Sequence, residues 1–196
     1  MRNFINIIEN AVDQPEYSLP KYWFRGITDE ALRSTSTWKA PERKIPQDIK
    51  DIVKGHIQGP LYEIYNYQFK VSRTYAGMSN WGFGVYVTND INWASRYGNN
   101  ILICQVDPED ILHIHHRDFV DHTPDTHGGK LADLLENEAG QSLSEQAAIM
   151  FKMVKKIKKN AKALFVQTSP DGEGQMCVFN KDYINAKWVF GINHDA

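Results

Sequence analysis

Gly82-Phe83-Gly84-Val85-Tyr86-Val87-Thr88, followed after a polar break by Trp93-Ala94-Ser95-Arg96-Tyr97, is the stretch on which the reading of this chain turns. Val85 to Thr88 are β-branched or aromatic, and Gly84 to Thr88 reads as a strand. Asn89 and Asp90 are helix-capping types, so a short helix is expected from there through Tyr97. Gly98-Asn99-Asn100 then signals a turn. Two glycines at spacing two, beside a strand, permit close backbone approach to a ligand. The third glycine and immediate helix of a dinucleotide-binding fingerprint are missing. Tyr86 and Tyr97 stand eleven residues apart. Either they flank one flat ligand, since rings supply contact area at low entropy cost, or they are ordinary core and surface tyrosines.

Working outward, further strands are expected at Tyr22-Trp23-Phe24, ending near Gly26, at Ile101 to Val106, which Asp107-Pro108 breaks, and at Ile111 to Ile114. Leu164 to Gln167 and Met176 to Asn180 read as strands joined by Ser169-Pro170-Asp171-Gly172-Glu173-Gly174. Trp188-Val189-Phe190 reads as the last. Leu61 to Ser72 alternates loosely and fits a strand or a helix. Helical spacing appears in Phe4, Ile5, Ile7, Ile8, Ala11 and Val12, and in Ile49, Ile52, Val53 and His56. Ser142 with Glu145 forms a capping box before a helix that carries Ile149, Met150, Met153, Val154, Ile157 and Ala161 on one face. Strands with helices between them indicate α+β or mixed α/β.

The 196 residues suit a single domain over 1–196, with a helix and loop over 1–20 and a core over 21–190. Apolar residues at 42% and charged residues at 23% argue against a disordered or fibrous chain. The net charge of −2 gives no whole-molecule steering toward nucleic acid or an anionic membrane. Two cysteines, Cys104 and Cys177, both in apolar runs, argue against a disulfide framework and for a reducing compartment. No apolar run is long enough to span a bilayer, and Glu9 and Asp13 interrupt what would be a leader's apolar stretch. A cytoplasmic location, or delivery into a host cytoplasm, is expected. Aromatic residues make up 12% of the chain, and composition does not say whether they fill a core or line a site.

The opening stretch resembles the central motif of the ADP-ribosyltransferase superfamily, in its poly(ADP-ribose) polymerase and diphtheria-toxin branch. That motif reads Gly-x-Gly-aliphatic-Tyr, with a second Tyr closing Ser-x-x-Tyr. The resemblance implies that Tyr86 and Tyr97 sandwich the nicotinamide of NAD beside Gly84. Ala94 stands where the family has the serine that bonds the carboxamide, and Ser95 is one position away. Two more pieces follow in order. Tyr22-Trp23-Phe24-Arg25-Gly26 is similar to the family's first strand, which implies carboxamide contacts from the Gly26 backbone. Arg25 would hold the NAD ribose or phosphates, a task that suits its planar fork. Gly172-Glu173-Gly174-Gln175-Met176-Cys177-Val178-Phe179 is similar to the strand that opens with the catalytic Glu. Gln175 occupies that position here, and Glu173 lies two residues earlier. A Gln bonds a ribose hydroxyl but brings no negative charge.

The fold implied is a single α+β domain, with two small bent antiparallel or mixed sheets flanking an NAD cleft and helices at the periphery. The activity implied is transfer of ADP-ribose from NAD to a protein or nucleic-acid acceptor, as in toxin-like phage or bacterial effectors. The alternative is a non-catalytic binding or structural module of the same fold. Two other clusters remain. His113, His115, His116, Asp118, Asp121, His122, Asp125 and His127 are either a polar loop or, less expectedly, metal ligands, and their spacing matches no closed zinc motif. Lys152, Lys155, Lys156, Lys158, Lys159 and Lys162 are either a solvated helix face or a patch for a polyanion. Ser34-Thr35-Ser36 reads as a loop or helix cap.

Overall fold

The computed structural model describes residues 19–33, 38–41, 45–69, 81–139 and 143–192. The helix expected in the first fourteen residues, Ser34 to Ser36, residues 70–72 and the Ser142 cap lie outside the described residues. Strands are β1 (Trp23–Ile27), β2 (Trp38–Pro41), β3 (Tyr62–Tyr65), β4 (Val85–Thr88), β5 (Asn100–Gln105), β6 (Ile111–His115), β7 (Ala163–Gln167), β8 (Gly174–Val178) and β9 (Asn185–Gly191). Helices are α1 (Asp29–Arg33), α2 (Gln47–Val53), α3 (Ile91–Ser95), α4 (His116–Val120), α5 (His127–Ala139) and α6 (Leu143–Ile157). The chain is therefore mixed α+β.

The strands form one hydrogen-bonded series, in the order β2-β3-β9-β5-β1-β4-β8-β7-β6. This corrects the expectation of two sheets. The physical reason lies in the middle of the series. β1 pairs with β5 at five positions but with β4 at one, Phe24↔Thr88. A single rung is enough to join two halves and too little to keep them coplanar. The ring of Trp23 on β1 meets that of Phe165 on β7 edge-on, with centroids 5.0 Å apart. Three strand spacings separate those strands, roughly 14 Å along a flat sheet. The contact therefore requires a sharp bend, and β1/β4 is the seam about which the sheet folds.

Strand alternation then sorts the core. Trp23, Ile27, Val85, Val87, Leu102, Cys104, Phe165, Met176 and Val178 fill the concave side and belong to both halves. On the convex side two separate clusters form. Phe24, Ile101, Ile103 and Phe190 pack under α2 and α3 through Ile49, Val53, Ile91 and Ala94. Leu112, Ile114, Leu164 and Val166 pack under α5 and α6 through Leu131, Leu135, Met150, Met153 and Val154. Between those clusters the convex face of the seam carries Gly26, Tyr86, Thr88 and Gln175.

β6 and β7 are parallel, which a hairpin cannot connect, and α4, α5 and α6 supply the crossover. The expected polar loop after β6 thus holds two helices, with residues 121–126 as the turn between them. α5 hid because Gly128 and Gly129 open it, although Leu131, Leu134 and Leu135 keep helical spacing. Those glycines are there for closeness: a Cβ on Gly129 would lie 2.1 Å from the Thr123 carbonyl oxygen. Leu61 to Ser72, open in the sequence, begins with the strand β3.

Candidate functional site

The β4–α3 corner forms as its residue types dictate. Val85 and Val87 are buried on the concave side and Tyr86 is half-buried on the other. Asp90 caps α3, its carboxylate accepting from Asn92 N. Trp93 and Tyr97, one turn apart, meet where the indole N–H donates to the Tyr97 hydroxyl at 3.4 Å. Tyr97 is 54% exposed.

Gly26 brings β1 against this corner. A Cβ there would lie 1.9 Å from the Ala94 carbonyl oxygen and 3.1 Å from Tyr97 Cβ. No side chain fits, so Gly26 holds Tyr97 at the seam. Gly84 does the same on the other flank, where a Cβ would lie 2.4 Å from the Val178 carbonyl oxygen and 2.6 Å from Cys177 Sγ. Tyr86 pairs across the ladder with Cys177, and its hydroxyl donates to the Gly82 carbonyl oxygen at 2.5 Å. Thr88 is the rung shared by both halves, opposite Phe24 on one side and Gln175 on the other.

Gln175 therefore shares the convex face with Tyr86 and Thr88, at the start of β8. Glu173 precedes β8, but its carbonyl oxygen accepts from Thr168 N at 2.8 Å, which continues the β7–β8 ladder. Alternation puts Glu173 on the same side as Gln175, one strand repeat nearer solvent, and it is exposed. Ser95 is turned to its own helix, its hydroxyl donating to the Asn92 carbonyl oxygen at 2.6 Å.

Arg25 is placed differently from Gly26. It alternates with Trp23 and Ile27 onto the concave side, and its charge is felt by Tyr67 and by the buried Cys104. Its guanidinium reaches β4, where Nη1 donates to the Tyr86 carbonyl oxygen at 3.0 Å. Arg25 thus supports the backbone under Tyr86 from behind. One of its five N–H donors is engaged there.

Two residues of this corner carry more than the sequence reading gave them. Asn89, read only as a cap, donates from Nδ2 to the Gly172 carbonyl oxygen at 2.8 Å, and its Oδ1 accepts from Gly174 N at 2.9 Å. Thr88 Oγ1 donates to the Gly174 carbonyl oxygen at 2.8 Å. The signal was present as a surplus: of two adjacent capping types, one suffices to cap α3.

The remaining clusters separate in space. Among the described residues, no group of three or more His, Cys, Asp or Glu stands close enough to hold a metal. His113 Nε2 lies 3.0 Å from Gln167 Oε1 and its ring stacks on Phe165. His122 pairs with Asp133 at 2.7 Å, and His116 sits edge-on to Trp81. On α6, Lys152 and Lys156 both pair with Glu138, and together they hold its carboxyl below the usual range. Just beyond its end, Lys158 donates to the Ile111 carbonyl oxygen, and Lys162 pairs with Asp110 at 2.7 Å. Much of the lysine run is thus engaged within the protein. A cavity of about 440 Å³ lies between α5 and α6, lined by His127, Lys130, Asp133, Leu134, Lys156 and Ile157, away from the seam.

Burial pushes the thiols of Cys104 and Cys177 up to about 12, so neither is a nucleophile at neutral pH. Among the described residues, no helix is long and apolar enough to cross a membrane. Compared with known proteins, the chain matches no family model and no curated sequence.

Proposed function

We propose that the seam binds NAD and that the chain transfers ADP-ribose from it to a macromolecular acceptor. The observation that carries this reading is the meeting of three separated segments at one bend. Gly26 of β1 packs on Ala94 and Tyr97, Tyr86 lies on β4 beside it, and Gln175 of β8 is the ladder neighbour of Thr88.

In this reading the nicotinamide stacks between Tyr86 and Tyr97, and backbone groups around Gly26 take its carboxamide. The glycosidic bond from the ribose C1′ to the ring nitrogen breaks, and its electron pair leaves with nicotinamide. Positive charge grows on C1′ and the ring oxygen. The acceptor's nucleophile then bonds to C1′ and gives up its proton. Gln175 orients a ribose hydroxyl by hydrogen bonding. Glu173, on the same face, supplies the carboxylate that favours the growing charge. Arg25, on the concave side, acts by holding the β4 backbone under Tyr86 through its bond to the Tyr86 carbonyl oxygen.

A second reading rests on Gln175 itself. An amide where charge stabilisation is wanted fits a module that binds NAD and transfers nothing. Labelled NAD in a cell lysate separates the two. The transferase reading expects label on macromolecules, lost with Tyr86→Ala and Arg25→Ala and increased with Gln175→Glu, because a carboxylate there adds charge beside C1′. Binding of NAD with no transfer by the wild type or by Gln175→Glu supports the module. Equal label with and without the substitutions contradicts both.

A further inference from the structure

We infer that Asn89 is a positioning residue that fixes Glu173 at the seam, and that Glu173 is the carboxylate through which it acts. This rests on the reading of the seam as an NAD site and deepens it.

The turn that bears Glu173 is held on both sides. Asn89 bonds the two peptides that flank Glu173, accepting from Gly174 N at 2.9 Å and donating to the Gly172 carbonyl oxygen at 2.8 Å. Thr88 Oγ1 donates to the Gly174 carbonyl oxygen and accepts from Asp90 N at 3.1 Å. From the far side, Ser169 Oγ accepts from Glu173 N at 3.0 Å, and Gln167 Nε2 donates to the Ser169 carbonyl oxygen at 2.8 Å. Gly172 adopts φ of 90°, a conformation that glycine reaches without strain.

β4 ends at Thr88, where the chain turns into α3 and can offer β8 no further backbone rung. A side-chain amide carries a donor and an acceptor on one planar group, like a peptide. Asn89 therefore continues the ladder past Thr88↔Gln175 and links it to the corner that carries Tyr97. The clamp pairs backbone groups of Gly172 and Gly174, which are buried although Glu173 between them is exposed. It fixes the direction in which the Glu173 carboxylate leaves the backbone, relative to Gln175 and Tyr86. Asp at this position would keep the acceptor for Gly174 N and set a carboxylate against the Gly172 carbonyl oxygen.

The test is the initial rate of nicotinamide release from NAD, with kcat and KM separated, for the wild type, Asn89→Ala, Asn89→Asp, Glu173→Gln and the double variant Asn89→Ala/Glu173→Gln. Circular dichroism identifies the folded variants, and Asn89→Asp keeps the comparison open where Asn89→Ala does not fold. A misplaced catalytic group costs about a hundredfold. Both Asn89 variants should lose about that in kcat, with KM for NAD changed less than about threefold. The double variant should be no slower than Glu173→Gln alone, because residues acting as a unit are not additive. Unchanged kcat in the folded Asn89 variants overturns the positioning role while leaving the NAD site standing. So does a double variant slowed by the full Asn89 factor. A wild type that neither binds NAD nor releases nicotinamide overturns the NAD reading itself, and this inference with it.

Discussion

His113 shows how position, rather than residue type, sets behaviour at the scale of one side chain. Burial pushes its imidazole below the ordinary value, and the nearby His115 and His127 add to the shift. The unfolded chain therefore takes up a proton that the folded chain resists. Stability from this site is intact above about pH 6.5 and declines as the pH falls below it. The thermal midpoint of the wild type should drop more between pH 7.5 and pH 5 than that of His113→Gln. Parallel pH profiles would contradict the assignment. The same scale holds the least legible part of the site. Gln175 and Glu173 were visible as an amide and a carboxylate two residues apart, but their shared face depends on a ladder that runs one residue past the strand. Arg25 was visible as a basic group after an aromatic strand. Its turn toward the concave side follows from alternation with Trp23 and Ile27, which needs the strand's register and not its composition.

At the scale of elements, β1, β4, α3, β5, β7 and β8 were readable from β-branched runs, capping residues and turn glycines. These local signals agree with the packing that follows. α4 was not readable because five residues are too few to show a helical period, and α5, whose Leu131, Leu134 and Leu135 do keep helical spacing, was masked by the Gly128-Gly129 pair that opens it. The single β1–β4 rung was equally hidden: pairing partners are set by the fold of the whole sheet. Gly26 tests the packing of these elements directly. Replacing it with Ala puts a methyl group into the Ala94 carbonyl oxygen. The substitution should destabilise the protein by about 1–3 kcal/mol, the usual cost of overpacking. It should also weaken NAD binding, as α3 and Tyr97 move off the seam. A Gly26→Ala variant with wild-type midpoint and wild-type NAD affinity would contradict the close contact between β1 and α3.

Across the whole molecule, one sheet bent about β1/β4 does two things at once. Its concave side closes on a continuous apolar core, which gives the two halves a common stability. Its convex side is covered at both ends by helices and left with a polar, aromatic strip in the middle. The high ring content divides accordingly. Trp23, Phe24, Phe165 and Phe190 are core, whereas Tyr86 and Tyr97 border the strip. The overall charge of −2 and the pairing of Lys152, Lys156 and Lys162 within the protein weigh against the lysine run as a patch for a polyanion. The proposed stacking of nicotinamide between Tyr86 and Tyr97 is read by calorimetric titration of NAD into the wild type and Tyr97→Ala. Loss of one ring stack, with the area it covers, predicts saturable binding to the wild type and affinity about tenfold weaker in the variant. Equal affinity for the two proteins, or no binding by the wild type, would contradict it.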